Sequence, residues 1–565
     1  MIVACVKGAA VTDRMLSTPT EPKPIFESTS SPSPDPTLMP TQPVLTFFVE
    51  PGVPGGIWDS KEAPAGMTWT EGDDQDVITL GKTDRMPDGQ VALAEIEWVF
   101  ALAAPFKTIQ DDVTLADLQA AWLGNPQGSS AHLRALAVYE RDYASLVALL
   151  GGPPGSDGMS PTVRLLPDDM QNISDFLNAD TWALIPFDQL QPEIKVISLD
   201  GISPLDTDLP MQEYPLRGHY TLHTSPATAD RLPPEILDGL LANLPGTNRD
   251  PARMTSLVMT GVTALVRATA YRMETQGIIY PARDIGDWLS SADVTHISNE
   301  VSFYENCPYP DPYDPSLIFC SHPDYIGLLD YVGADVIELT GNHNNDASRK
   351  FNVNAFDTTL AMYDTHGMLT FGGGMNLEDA MQPAVITHHG NNLAFIGCNI
   401  AGPDFAWATS NSGGAAPCGD LTWMVNTIQS LRQGGYLPIV TMQYYEDYSN
   451  DASSQMRADF RRMAEAGAVI VNGSQAHRPK EMEILDGVLL HYGLGNLFFD
   501  QMSVTINGVD YTQTRNEFIQ RHIFYDGRYI STELLTAVLE DWAKPRPMTL
   551  EERQVFLSEI FSVSP

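Results

Sequence analysis

What most narrows the fold of this chain is a rhythm. From residue 255 onward, short apolar runs recur at 257–260, 294–297, 336–339, 369–371, 393–397, 439–442, 469–471 and 488–492. Helical stretches at 325–331, 354–365 and 455–466 fall between several of them. Short apolar runs bounded by polar clusters read as strands, and their alternation with helices reads as an α/β domain. Further on, 522–525 and 529–535 flank Asp526-Gly527, a pair suited to the positive-φ positions of a two-residue hairpin turn. Upstream, from a strand-like run at 44–49 to about residue 224, shorter strands (78–80, 135–139, 182–185, 194–199) mix with helical stretches near 115–122 and 143–150. This pattern predicts a smaller α/β domain. At 565 residues the chain exceeds one ordinary hydrophobic core. The predicted organisation is a tail over 1–44, a first domain over 45–224, a linker over 225–252 with a helix at 234–244, and a second domain over 253–565.

In the second domain, polar residues follow the strands repeatedly. Asn299-Glu300 come after the run ending at Ile297, Gly341-Asn342-His343 after 336–339, and Gln443 to Asp447 after 439–442. Gly473-Ser474-Gln475-Ala476-His477 follow 469–472, and Gly493-Leu494-Gly495-Asn496 follow 489–492. Ligands of α/β sheets bind beyond the carboxyl ends of the strands, so these clusters are expected to converge on one site. The catalytic candidates are Glu300, His343, His477 and Glu446. A histidine oriented by a carboxylate is a general acid or base, and Glu300 and Glu446 supply carboxylates. The ligand-binding candidates are Asn299, Asn342, Gln443, Gln475, Asn496 and Arg267. Arg267 brings a guanidinium able to grip carboxylates in bidentate fashion.

The ordered series carries a resemblance. Asn-Glu, then Gly341-Asn-His-x-x-Asp346, then Gly372-Gly-Gly-x-Asn-Leu-Glu-x-Ala380, then a His-x-His-like turn at 475–477, then Tyr492-Gly-Leu-Gly-Asn-Leu-Phe-Phe-Asp-Gln501 resembles the capsule-synthesis (poly-γ-glutamate, CapA-type) family. The resemblance implies a four-layer α/β/β/α domain related to the metallophosphoesterases, whose strand ends hold a two-metal site. It also implies a role in making, exporting or anchoring a surface polymer. The chain departs from the family at three points. It has Gly261-Val262-Thr263 where Gly-Asp is usual, Gln443-Tyr444-Tyr445 for His-Trp-Gly, and Gln475-Ala476-His477 for His-x-His. A full two-metal centre is therefore not expected. Glu300, Asn342, His343 and His477 are left to hold one hard divalent cation (Mg, Mn or Ca), which oxygen donors suit, or to work without metal. Separately, residues 112–124 resemble a segment of periplasmic solute-binding proteins, although Leu115, Leu118 and Trp122 at helical spacing are equally well explained as core.

The 32 basic and 72 acidic residues give a net charge of −40, which repels nucleic acid and anionic lipid. No apolar run reaches the ~18 residues of a membrane span. Cys307 with Cys320, and Cys398 with Cys418, each bracket a short loop and are expected to pair as disulfides, which implies an oxidising compartment. Cys5, in Ile2-Val3-Ala4-Cys5, looks like the lipidated cysteine of a bacterial lipoprotein, although neither a basic nor an apolar leader precedes it. The Pro/Ser/Thr-rich stretch 17–43 has the composition of a tether. These features point to an extracytoplasmic, lipid-anchored protein at the bacterial surface. Its expected partners are an anionic or carboxylate-rich polymer and membrane-bound synthesis enzymes, with no nucleic acid. Two other readings stay open: a metal-dependent hydrolase with a reduced site, and a solute receptor acting through residues 45–224.

Overall fold

The computed structural model describes residues 45–58, 63–70, 77–152, 160–209 and 211–565; Cys5 and the tether at 17–43 lie outside them. Alternation along the strands decides the layering of the second half. Met254–Thr260, Val294–Asn299, Val336–Glu338 and Leu369–Phe371 run parallel in one sheet. That sheet is continued by antiparallel Asn516–Tyr525, Arg528–Glu540 and Lys544–Pro547. Asn391–Asn399, Leu437–Gln443, Ile470–Ser474 and Val488–His491 run parallel in a second sheet, with Ala384–His388 and Met482–Leu485 antiparallel at its edges.

Successive strand side chains point to opposite faces, and the cores follow that rule. Leu257 and Met259 meet Phe395, Ile439, Ile470 and Leu489 between the sheets. Val258, Ile297 and Ile337 pack outward on Ala270, Met273, Leu328 and Phe356 of the helices Arg267–Gln276, Ile326–Tyr331 and Ala355–Thr365. On the far side, Ile396, Val440, Val471 and Leu490 pack on Met424, Ile428, Phe460 and Met463 of Thr422–Gln433 and Ser454–Ala466. The layers are helices, sheet, sheet, helices, as expected. Helices of 6 to 13 residues are marginal alone in water, where about 12–15 residues are needed. Their buried faces hold them in place, at roughly 1.5–3 kcal/mol per large apolar side chain.

The first half has a mixed sheet in the order Met67–Trp69, Leu45–Val49, Val77–Lys82, Arg217–Thr224, Val91–Pro105, Thr181–Pro186, Ala135–Tyr139, Val163–Leu166. The helix Leu115–Trp122 is capped by Thr114, whose side chain accepts from Asp117 N at 3.1 Å. Leu118 and Trp122 are fully buried in the core.

Residues 225–252 contain the expected helix, Pro234–Ala242, and then join the packed body. The Asn248 amide bonds both backbone groups of Val99, at 2.8 and 2.9 Å, and the buried Arg249 donates to Pro204 O at 2.6 Å. Met254, Ile523, Tyr525 and Ile530 belong to the same apolar core as the first sheet, and Phe187 meets Tyr525 edge-on at 5.2 Å. Leu45–Pro565 is one compact unit. The hairpin turn sits at Asp526-Gly527 with φ of 52° and 71°. Both expected disulfides are present, with Cα separations of 5.9 and 4.9 Å. No helix among the described residues is long and apolar enough to cross a membrane.

Candidate active site

The carboxyl ends of the parallel strands from both sheets meet at a cavity of about 550 Å³. Glu300, Asn342, His343, Glu446, Gln475, His477 and Arg267 all line it. A wall is added by Pro312, Tyr313, Asp314, Leu317 and Phe319 of the loop that the Cys307–Cys320 disulfide closes, and another by Phe499, Asp500 and Gln501.

His343 is placed by the turn after Val336–Glu338. Asp346, at the start of the next helix, accepts from His343 Nδ1 at 2.7 Å and from Phe319 N at 3.1 Å. The ring packs against Phe319 with centroids 4.5 Å apart. Burial works against a charged imidazole here, but the hydrogen bond to Asp346 and the negative charges of Glu300 and Asp346 outweigh it, so the His343 pKa is raised. With Nδ1 occupied, Nε2 is the nitrogen left for a ligand. Glu300 stands beside it because Val301 and His343 form a parallel bridge. Glu300 is 2% exposed, and its Oε2 is buried without a hydrogen-bond partner. Gly341 is obligatory at this crossing, because a Cβ there would lie 2.3 Å from Glu300 Cβ.

His477 is held from the opposite sheet. Asn496 Nδ2 donates to the carbonyls of His477 and Thr514, at 3.3 and 3.1 Å, which turns its Oδ1 toward His477 Nδ1 at 2.8 Å. His477 Nδ1 therefore carries the proton, and Nε2 is again the free nitrogen. Its ring stacks on Phe499 at 5.0 Å. Gln475 adopts φ of 73°, a region that side-chain-bearing residues enter at a cost on the order of 1–3 kcal/mol. Its amide meets that of Gln443, which also reaches Asn342 Oδ1 at 3.5 Å.

Other candidates take different places. Asn299 is absent from the cavity wall and donates to Tyr363 Oη at 2.6 Å and Val301 O at 3.1 Å. Asn496 and Gln443 act behind the surface, on His477 and Gln475. Glu446 is exposed at the rim, where it accepts from Tyr448 Oη. Arg267 is already engaged, with Nη2 2.5 Å and Nε 3.2 Å from the Asp500 carboxylate and its guanidinium between the rings of Phe319 and Phe499 at 5.0 and 5.4 Å. Asp346 and Asp500 escaped the sequence reading as site residues. The i, i+3 spacing of His343 and Asp346 at a helix start was the available signal for the first; the second lies in the 492–501 motif, where it reads as a structural turn residue.

The two-metal centre implied by the resemblance does not fit these residues. Val262 and Thr263 bring no carboxylate, Thr263 Oγ1 is buried without a partner, and Gln475 replaces an imidazole. Among the described residues no three His, Cys, Asp or Glu side chains are grouped to hold a metal ion. A single cation at Glu300, Asn342, His343 and His477 would depend on amide oxygen, a donor suited to Mg, Mn or Ca.

The family model described as "Bacterial capsule synthesis protein PGA_cap" matches residues 256–501. The PGA biosynthesis protein CapA of Bacillus subtilis (strain 168) is 24% identical over 235 residues, covering 41% of this chain and 57% of that protein. The chain thus spans little more than half the length of that relative. The capsule biosynthesis protein CapA of Bacillus anthracis is 21% identical over 318 residues, covering 55% of this chain and 74% of that protein. Among solved structures, a putative 5'-nucleotidase from Staphylococcus aureus in complex with alpha-ketoglutarate aligns at 9% identity, covering 55% of this chain and 58% of that one, with a TM-score of 0.30. Residues 256–501, which supply most of the cavity wall, are thus similar to the bacterial capsule synthesis family.

Proposed function

We propose that the chain acts outside the cytoplasm in making, exporting or attaching poly-γ-glutamate or a similar surface polymer, and that the cavity at the strand ends is where the polymer is engaged. The observation that carries this reading is that the matched segment supplies nearly the whole cavity wall, from Arg267 to Gln501. The curated relatives are named for PGA and capsule biosynthesis. The cavity also shares Glu446, Tyr448 and Val504 with a larger groove of about 1230 Å³, so a chain entering it has room to continue. The disulfides suit an oxidising compartment. Lipid anchoring through Cys5 and cooperation with membrane-bound synthesis enzymes belong to the same reading.

The His343–Asp346 pair favours chemistry at the site over passive binding. An imidazole fixed through Nδ1 by a carboxylate, with a raised pKa, suits donation of a proton from Nε2 to a departing amine or alkoxide. His477, held by Asn496 with its proton on Nδ1, keeps Nε2 free to accept one. The reaction class is transfer or hydrolysis at an amide or ester of the polymer. Replacing His343 and His477 together with Gln in the producing cell tests this. General acid–base groups contribute about 10²–10⁴-fold, so surface polymer should fall to trace levels while the protein accumulates normally. Unchanged polymer would refute the reading.

A further inference from the structure

The charges around the cavity do not match the bulk of a polyanion. Glu300, Asp314, Glu446 and Asp500 all contribute carboxylates to its wall, and the one arginine there, Arg267, is neutralised by Asp500. The cavity sits on a chain of net charge −40. The free α-carboxylates of a γ-glutamyl polymer are repelled from such a place. Glu300 sharpens the mismatch. It is 2% exposed, it lines the cavity, its Oε2 is buried, and no donor of the described residues reaches it. His343 lies near enough to feel its charge but spends Nδ1 on Asp346. A buried carboxylate left without a donor costs several kcal/mol unless a ligand supplies one. The only part of a γ-glutamyl polymer that offers both a positive charge and N–H donors is its amino terminus.

We infer that the cavity recognises a primary ammonium group, with Glu300 as its acceptor, so that a γ-glutamyl chain enters by its amino end. This rests on the polymer reading above for the identity of the chain, but not for the chemistry of the group. An entering ammonium gives Glu300 the hydrogen bonds it lacks, whereas the carboxyl end of a chain would bring only further negative charge to a wall that already carries Glu446 and Asp314. Glu300 is a binding residue in this scheme, and the adjacent His343 and His477 then face the first linkage after the amino end.

The test uses the full chain and thermal-shift or calorimetric titration with short γ-linked glutamate oligomers, either with a free amino end or N-acetylated, and with an oligoalanine bearing a free amino end. The free-amine glutamyl oligomer should bind at least about tenfold more tightly than its acetylated form, and Glu300→Gln should abolish that preference. Equal binding of the two glutamyl forms would overturn the ammonium inference and leave the polymer reading standing. Binding of oligoalanine with no binding of either glutamyl form would do the reverse. No binding of any oligomer would overturn both. Stabilisation by Mg, Mn or Ca alone that is lost in Glu300→Gln would assign the carboxylate to a cation and overturn the inference. The acetylation comparison needs no variant, so it decides the matter even if Glu300→Gln folds poorly.

Discussion

At the scale of single residues, the His343–Asp346 pair governs both protonation and stability. Asp346 holds the imidazole proton-rich, against the effect of burial. Because the folded pKa lies above the ordinary 6.5, the folded state holds its proton more tightly than the unfolded chain does. The stabilisation is complete below the unfolded value and is lost as pH rises through the folded one. Asp346→Asn keeps the shape and the acceptor for Phe319 N but removes the charge. His343 should then titrate at lower pH when followed by its imidazole NMR signals, and the variant's loss of stability should be larger near pH 6 than near pH 9. A loss equal at both pH values would show that Asp346 acts through packing alone. The neighbouring candidates show how far residues could be read from sequence. That Glu300, His343, Gln475 and His477 come together at one cavity was legible because each follows a strand, and strand ends of such sheets converge. Asn299 was misplaced by one position, since adjacent strand residues face opposite ways and its side chain turns to Tyr363. The role of Arg267 depended on its pairing with Asp500, 233 positions away, which no local pattern announces.

At the scale of elements, the disulfide loop matters most, because it converts a Pro-rich stretch with little regular structure into a wall of the site. Between Cys307 and Cys320 the only short-range supports are turns such as Asp311 accepting from Tyr313 N at 2.9 Å and Asp314 accepting from Ser316 N at 2.8 Å. Tyr313 and Leu317 are largely exposed, so burial does little to hold the loop. Its one deep anchor is Phe319, which contacts His343 and Arg267. The crosslink spans 13 positions, a loop size for which the chain-entropy model gives roughly 3 kcal/mol. Replacing both Cys307 and Cys320 with Ser should lower stability by about that amount and weaken oligomer binding at the cavity. The double variant at Cys398 and Cys418, away from the cavity wall, should lose stability without the binding defect. Equal binding losses in the two variants would remove the loop from the site. The pairing itself was legible from spacing, but not its position over His343, because that depends on how the loop returns to the strand ends.

At the scale of the whole molecule, the sequence led to two domains and a linker, and the packing joins them. Strand runs separated by a Pro/Gly/Asn-rich stretch look like independent units when only local composition is visible. What that view misses is the long hairpin near the carboxyl end. Asn516–Tyr525 and Arg528–Glu540 extend the sheet of the second half, and their outer end carries Ile523, Tyr525 and Ile530 into the core of the first half. Polar contacts add to this. Asp111 of the first half takes Lys195 at 2.6 Å and Arg553 at 2.8 Å, while burial lowers the Lys195 pKa to about 8. The half-exposed Asp111 makes this clasp worth little by itself, so the shared apolar core decides the coupling. Exposing Ile523, Tyr525 and Ile530 together would cost on the order of 5 kcal/mol, comparable with the whole stability of a typical domain. Leu45–Pro565 should therefore unfold in one calorimetric transition, with equal van't Hoff and calorimetric enthalpies. A fragment of residues 253–565 should expose the hairpin's outer end and melt at a lower temperature than the full chain. Two well-separated transitions in the full chain, or a fragment as stable as the whole, would mean that the halves fold independently and that the first half is not needed to brace the sheet on which the cavity stands.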